Sequence, residues 1–191
     1  MRPAKNKTTV RIIRRITPDS QKALKWYALK TKSRAEKKVH EEIQELGVES
    51  YMPISRELRQ WSDRRKWVEV PMFRSYVFVR TTNQYFQKVL EIDGAVHFVK
   101  FNNEHAVIQD EQIDLIRKIV DNKIRFEVTA DSFEPGDKVI VTDGPFKGQK
   151  GEWIQKKTKY NICITIHQLN MSISLEIPAA YVEKIPEEAT G

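Results

Sequence analysis

Two clusters of cations carry the chemistry most legible in this 191-residue sequence. Lys30, Lys32, Arg34, Lys37 and Lys38 place five positive charges within nine residues. Arg59, Arg64, Arg65 and Lys66 stand between Trp61 and Trp67 or beside them. Lysine and arginine at such density suit phosphate contact. Tryptophan interleaved with cations suits the stacking of unpaired bases. Each cluster has a plainer reading. A solvated helix face explains any two of the lysines, and an exposed hairpin can fold its tryptophans back on a sheet.

Nothing points to catalysis or to a cofactor. The four histidines, His40, His97, His105 and His167, have neither metal-ligand spacing nor a neighbouring nucleophile. No glycine loop of the phosphate-cradling type is present. Asp131, Glu134 and Asp137 lack a calcium-loop pattern and read as a solvated acidic stretch. The single cysteine, Cys163, excludes an intrachain disulfide and lies in an apolar run, where a buried, inert thiol is expected.

Charge divides the chain. Residues 1–22 hold seven Lys/Arg against one acid, residues 23–124 eighteen against fifteen, and residues 125–191 eight against ten. The first two segments can face a polyanion and the last has no general attraction for one. No apolar stretch approaches the ~20 residues of a membrane span, and Ile12-Ile13 is interrupted at once by Arg14-Arg15. A cytoplasmic protein with no membrane partner is expected.

The elements that must position these residues follow from periodicity. Residues 1–22 read as a basic, disordered tail. Trp26-Tyr27-Ala28-Leu29 suits a buried strand. Ser33 with Glu36 forms a capping box for a helix whose Ala35, Val39, Ile43 and Leu46 share one face, stopped by Gly47. Residues 48–60 and 66–80 read as strands, with Phe73 on the face opposite Tyr76 and Phe78. A short helix over 83–91, a strand over 96–101 and a helix over 110–122 complete a first domain, residues 23–122. Residues 123–133 read as a linker. Residues 134–186 read as five short strands closing a small barrel. The fold class is therefore α+β: helices on an antiparallel sheet, then an SH3-like β-barrel.

With helices on one sheet face, the other face must meet solvent or a partner. Phe73, and with it Tyr27, is placed there.

Pro135-Gly136-Asp137-Lys138-Val139-Ile140-Val141 runs into Thr142-Asp143-Gly144-Pro145-Phe146-Lys147-Gly148-Gln149-Lys150-Gly151, a strand, a glycine-punctuated turn and a second strand. This resembles the KOW motif, with Gly136, Gly144, Pro145, Phe146, Gly148 and Gly151 at its characteristic positions. Trp26-Tyr27-Ala28-Leu29, Val70-Pro71-Met72-Phe73-Arg74-Ser75-Tyr76-Val77-Phe78-Val79 and Gly94-Ala95-Val96-His97-Phe98-Val99 resemble the N-terminal (NGN) domain of NusG transcription factors. Arg74-Ser75 replaces that family's usual Pro-Gly. Together the two signatures cover about residues 25–185 and are similar to the specialised antiterminators of the RfaH and UpxY type.

The resemblance implies a non-enzymatic, monomeric factor without cofactor. It implies RNA polymerase binding through Tyr27, Phe73 and Tyr76. It further implies contact with exposed non-template DNA or nascent RNA, for which Lys30, Lys32, Arg34, Lys37, Lys38, Arg64, Arg65, Lys66 and Trp61 are the candidates. The barrel's implied partner is the small ribosomal subunit or a Rho-like termination factor. The RfaH-type His-Thr-Thr motif is absent; Tyr85-Phe86-Gln87-Lys88 stand there. In RfaH the barrel segment also folds as a helical hairpin. The alternating Ile162, Ile164, Ile166, Ile173 and Ile177 favour strands here.

Overall fold

The computed structural model describes residues 24–61, 64–129, 136–156 and 159–185. The basic tail and part of the expected linker lie outside them.

The first domain is built on a five-stranded antiparallel sheet. Strand β1 (Lys25–Thr31) lies at its centre, between β5 (Tyr76–Thr81) and β6 (Ala95–Phe98). Strand β2 (Glu49–Tyr51) pairs with the far side of β5, and β9 (Val107–Ile108) pairs with the start of β1. Alternation along β1 then decides the packing. Tyr27 and Leu29 face α1 (Glu36–Glu45) and α2 (Phe86–Leu90), forming a core with Val39, Ile43, Val77, Val79, Phe86 and Val89. Trp26 and Ala28 face α3 (Asp110–Asp121), whose Ile113, Ile116 and Ile119 pack there with Phe78 and Ile108.

Both sheet faces are thus covered by helices, which corrects the one-sided sheet expected from the sequence. The helix over residues 110–121 was legible; the face it covers was not. Helix α1 also starts differently. Ala35 occupies its N-cap position without a side-chain cap bond, so no Ser33–Glu36 capping box forms.

The expected strand over 66–80 is two strands. Strand β4 (Arg65–Pro71) pairs with β3 (Ile54–Gln60) as a separate two-stranded sheet. A turn through Met72–Ser75 leads into β5, and Ser75 sits there at φ 62°. A small ladder of β7 (Lys100–Phe101) and β8 (Glu104–His105) completes the domain.

The second domain has the strand order β10-β14-β13-β12-β11-β15. Its expected strands are present as β11 (Asp137–Val141), β12 (Lys150–Lys156), β13 (Lys159–Ile166), β14 (Met171–Leu175) and β15 (Val182–Lys184). Ile162, Ile164, Ile166 and Ile173 point inward, and Cys163 is buried, as its surroundings suggested. One strand was not foreseen. Residues 126–129, inside the expected linker, form β10 (Phe126–Thr129), which pairs with β14 from Phe126↔Leu175 to Thr129↔Ser172. The Glu176 N–H donates to the Arg125 carbonyl at 3.2 Å. Only residues 122–125 then separate α3 from the barrel sheet. Gln112 of α3 donates to Gln168 at 3.4 Å, and one apolar cluster runs from the α3 core into the barrel.

Candidate nucleic-acid and protein interface

The aromatic residues expected on an open face are not open. Phe73 is 1% exposed and stands edge-on to Phe78. The turn through Met72–Ser75 breaks the alternation that would have put these rings on opposite faces, and α3 closes over both. Tyr27 is 6% exposed, edge-on to Phe86 at 4.9 Å, and burial raises its pKa. Phe73 and Tyr27 are core residues, not members of an open face. Tyr76 is half-buried, with the Lys30 ammonium 4.2 Å above its ring. Of the three expected polymerase contacts, it alone reaches the surface.

The strand–helix junction gathers its lysines as expected but neutralises them locally. Asp93 accepts from Lys38 at 2.8 Å and from Lys32 at 3.2 Å. Lys37 lies 3.9 Å from Glu41, and Lys38 lies 3.8 Å from Glu42. The hydrogen bonds from Lys38 and then Lys32 hold the Asp93 carboxyl below its usual range, and the Lys38 ammonium is raised in return. The counter-ion role of Asp93 spans 55 and 61 residues of sequence, beyond any local signal. Arg34 is exposed, in the left-handed region at φ 65°.

The β3–β4 ribbon is the least supported part of the domain. It pairs only with itself, and a lone two-stranded ribbon is marginal in water. Leu58 and Trp67 are cross-strand partners, 49% and 64% exposed. Ile54 and Trp61 are exposed too. The tryptophans therefore do not fold back on the main sheet. Arg56 and Glu69 form an ion pair at 3.3 Å on the Leu58–Trp67 face. Arg65 and Lys66 are exposed near the tip, with Arg64 beside them.

The barrel turn follows its glycines. The Gly148 N–H donates to the Val141 carbonyl at 2.7 Å, with Gly148 at φ 85°. A side chain on Gly151 would meet Ile162 Cγ2 at 2.5 Å and the Cys163 carbonyl at 2.8 Å. Phe146 is buried and caps the apolar interior, while Gly144 and Pro145 are exposed at the turn and Gly136 precedes β11. Among the described residues no cluster of His, Cys, Asp or Glu has the makings of a metal site, and no helix is long and apolar enough to cross a membrane.

A family model described as transcription termination factor nusG matches residues 24–117. The chain is similar to the transcription termination/antitermination protein NusG of Rickettsia felis, 25% identical over 173 residues, which span 83% of this chain and 90% of that protein. It is similar also to the NusG of Campylobacter jejuni, 24% identical over 177 residues, which span 84% and 97%. The solved NusG of Thermotoga maritima, described for its domain interaction, shares the fold with a TM-score of 0.50 at 22% identity, over 87% of this chain and 99% of that one.

Proposed function

We propose, from the match of a nusG family model to residues 24–117, that the chain is a NusG-type transcription elongation and antitermination factor that binds RNA polymerase. It acts in the cytoplasm, by binding and not by chemistry, favouring the elongating conformation over paused or terminating ones. The observation that carries this reading is the β3–β4 ribbon. It holds Leu58 and Trp67 in solvent as a cross-strand pair, although apolar side chains of that size are ordinarily withdrawn. Aromatic anchors of this kind supply the binding energy of protein interfaces. Tyr76 and Lys30 extend the surface on the domain body. Arg64, Arg65, Lys66 and Trp61 at the ribbon tip face exposed DNA or nascent RNA.

The barrel recruits a second partner, the small ribosomal subunit or a Rho-like factor, and action is confined to particular operons. The operon-specific reading rests on the long Trp-bearing hairpin and on His97-Phe98-Val99-Lys100-Phe101. Affinity purification of the tagged barrel separates the two partners, and chromosome occupancy separates a few operons from genome-wide binding.

The central test is Leu58→Ala with Trp67→Ala. The double variant should melt as wild type does, yet lose co-purification with RNA polymerase and antitermination in a purified system. Wild-type polymerase binding by the folded variant would remove the ribbon from the interface.

A further inference from the structure

The chain holds two Asp-Gly steps, Asp93-Gly94 and Asp143-Gly144, and the fold treats them differently. An aspartyl carboxyl is open to attack by the amide nitrogen of the next residue, most of all where that residue is glycine and no Cβ blocks the approach. The attack needs the carboxyl poised over that nitrogen, an oxygen able to leave as water, and a backbone free to bend into the ring.

Asp143-Gly144 lies in the turn between β11 and β12, and both residues are exposed. The Gly144 N–H donates to Asp143 Oδ1 at 2.8 Å, so the carboxyl is already folded over the nitrogen. No backbone carbonyl among the described residues accepts from that amide. Asp143 has no ion pair among the described residues. A rotation about its Cα–Cβ bond replaces the oxygen by the carboxyl carbon as the nearest neighbour of the nitrogen. Asp93-Gly94 is held against the same step. Lys38 and Lys32 bind separate oxygens of Asp93 at 2.8 and 3.2 Å. Those bonds keep its carboxyl ionised below the usual range, with no hydroxyl to leave as water. Gly94 is fixed as well. Its carbonyl accepts from the Lys32 N–H at 2.8 Å, and a Cβ there would meet the Ala35 Cβ at 2.9 Å.

We propose that Asp143-Gly144 is a site of backbone modification, converting through a succinimide to isoaspartate, and that Asp93-Gly94 is protected from this change. The Gly144 nitrogen forms a bond to the Asp143 carboxyl carbon and gives up its proton to solvent. The carboxyl hydroxyl takes a proton and leaves, so the net loss is water and nothing is oxidised or reduced. Water then opens the ring. Attack at the side-chain carbonyl restores aspartate; attack at the main-chain carbonyl leaves the chain running through the β-carbon, with a free α-carboxylate. The backbone gains a methylene between two anchored points. One is Thr142, whose N–H donates to the Tyr181 carbonyl at 2.8 Å; the other is Gly148, whose N–H donates to the Val141 carbonyl at 2.7 Å. The modified turn is a substrate for an isoaspartyl carboxyl methyltransferase using S-adenosylmethionine. None of this depends on which partners the two domains bind.

The test is ageing of the full chain in warm neutral buffer, folded and in urea, followed by tryptic mapping. Cleavage after lysine places Asp93 in the peptide 89–100 and Asp143 in the peptide 139–147. In the folded chain, peptide 139–147 should gain an isomer of unchanged mass, preceded by a dehydrated form. That isomer should accept labelled methyl groups from S-adenosylmethionine and a purified isoaspartyl methyltransferase. Peptide 89–100 should convert several-fold less. In urea the two peptides should converge, because the lysines and the packing around Gly94 no longer protect Asp93. Asp143→Glu, which would need a larger imide ring, should abolish the 139–147 signal. Equal conversion of both peptides in the folded chain would overturn the proposal. So would a difference that persists in urea, or methyl acceptance unchanged by Asp143→Glu.

Discussion

The Phe73 ring stands edge-on to Phe78, with centroids 5.3 Å apart and planes at 87°. That contact closes the turn between β4 and β5 onto the α3 core. Truncation there opens a cavity among Ile108, Ile113 and Ile116. Phe73→Ala should therefore lower stability by about 3–5 kcal/mol, read as a shifted urea midpoint. Any loss of polymerase binding should track the folded fraction. A variant as stable as wild type would contradict the buried position.

Ser75 holds φ 62°, and its N–H donates to Glu36 Oε1 at 2.7 Å. A non-glycine residue in this region carries strain, and Ser75 is a serine held in that region. Ser75→Gly should stabilise the domain by ~0.5–1 kcal/mol, after the added freedom of the unfolded chain is offset. Glu36→Ala should cost about 1 kcal/mol or more, because it leaves a part-buried amide without its acceptor. Thermal melts of both variants check the opposite signs; equal shifts would sink the account.

Local pattern carried the sequence reading far. The α3 helix, the glycines of the barrel turn and the isoleucine alternation of β13 were legible because each signal spans only a few residues. Most of the failures were non-local. Which sheet face α3 covers depends on a connection through β9, and Phe73 changed face because a four-residue turn interrupted a strand-like run. Residues 126–129 read as linker because β10 finds its partner β14 more than forty residues away. Glu36 reads as part of a local cap but accepts from the Ser75 amide, and Asp93 gives no local sign that it serves Lys32 and Lys38. The ribbon cations were visible as a cluster; the register that sets Arg59 against Lys66 was not.

Asp93 neutralises two lysines that would otherwise face solvent beside the sheet edge. Its ion pairs are exposed, so Asp93→Asn should leave the melting temperature nearly unchanged. The same change frees Lys32 and leaves Lys38 only its 3.8 Å pairing with Glu42. If the junction lies along the path of a nucleic acid, the salt slope for single-strand binding should steepen by up to about 1.4. An unchanged slope would make these lysines a solvated face and confine nucleic-acid contact to the ribbon.

Tyr51 gives the domain an alkaline limit. It is half-buried on β2, stacked on Phe78 with centroids 6.4 Å apart, and the Arg117 guanidinium lies 5.4 Å from its ring centre. Burial pushes its pKa up to about 12; the Arg117 charge works against that rise and Asp121 adds to it. In the unfolded chain the phenol titrates near 10. A group whose folded pKa is the higher contributes stability that is complete below the unfolded value and is lost as pH climbs towards the folded one. Urea midpoints should therefore fall between pH ~10 and ~12 more steeply in wild type than in Tyr51→Phe. Tyrosinate absorbance should show one late-titrating phenol missing from the variant. Arg117→Gln should move that phenol higher still, because the opposing charge is gone. Lysine deprotonation is common to all three proteins and cancels in the comparison. Parallel stability curves for wild type and Tyr51→Phe would show that the phenol is solvated in the folded state.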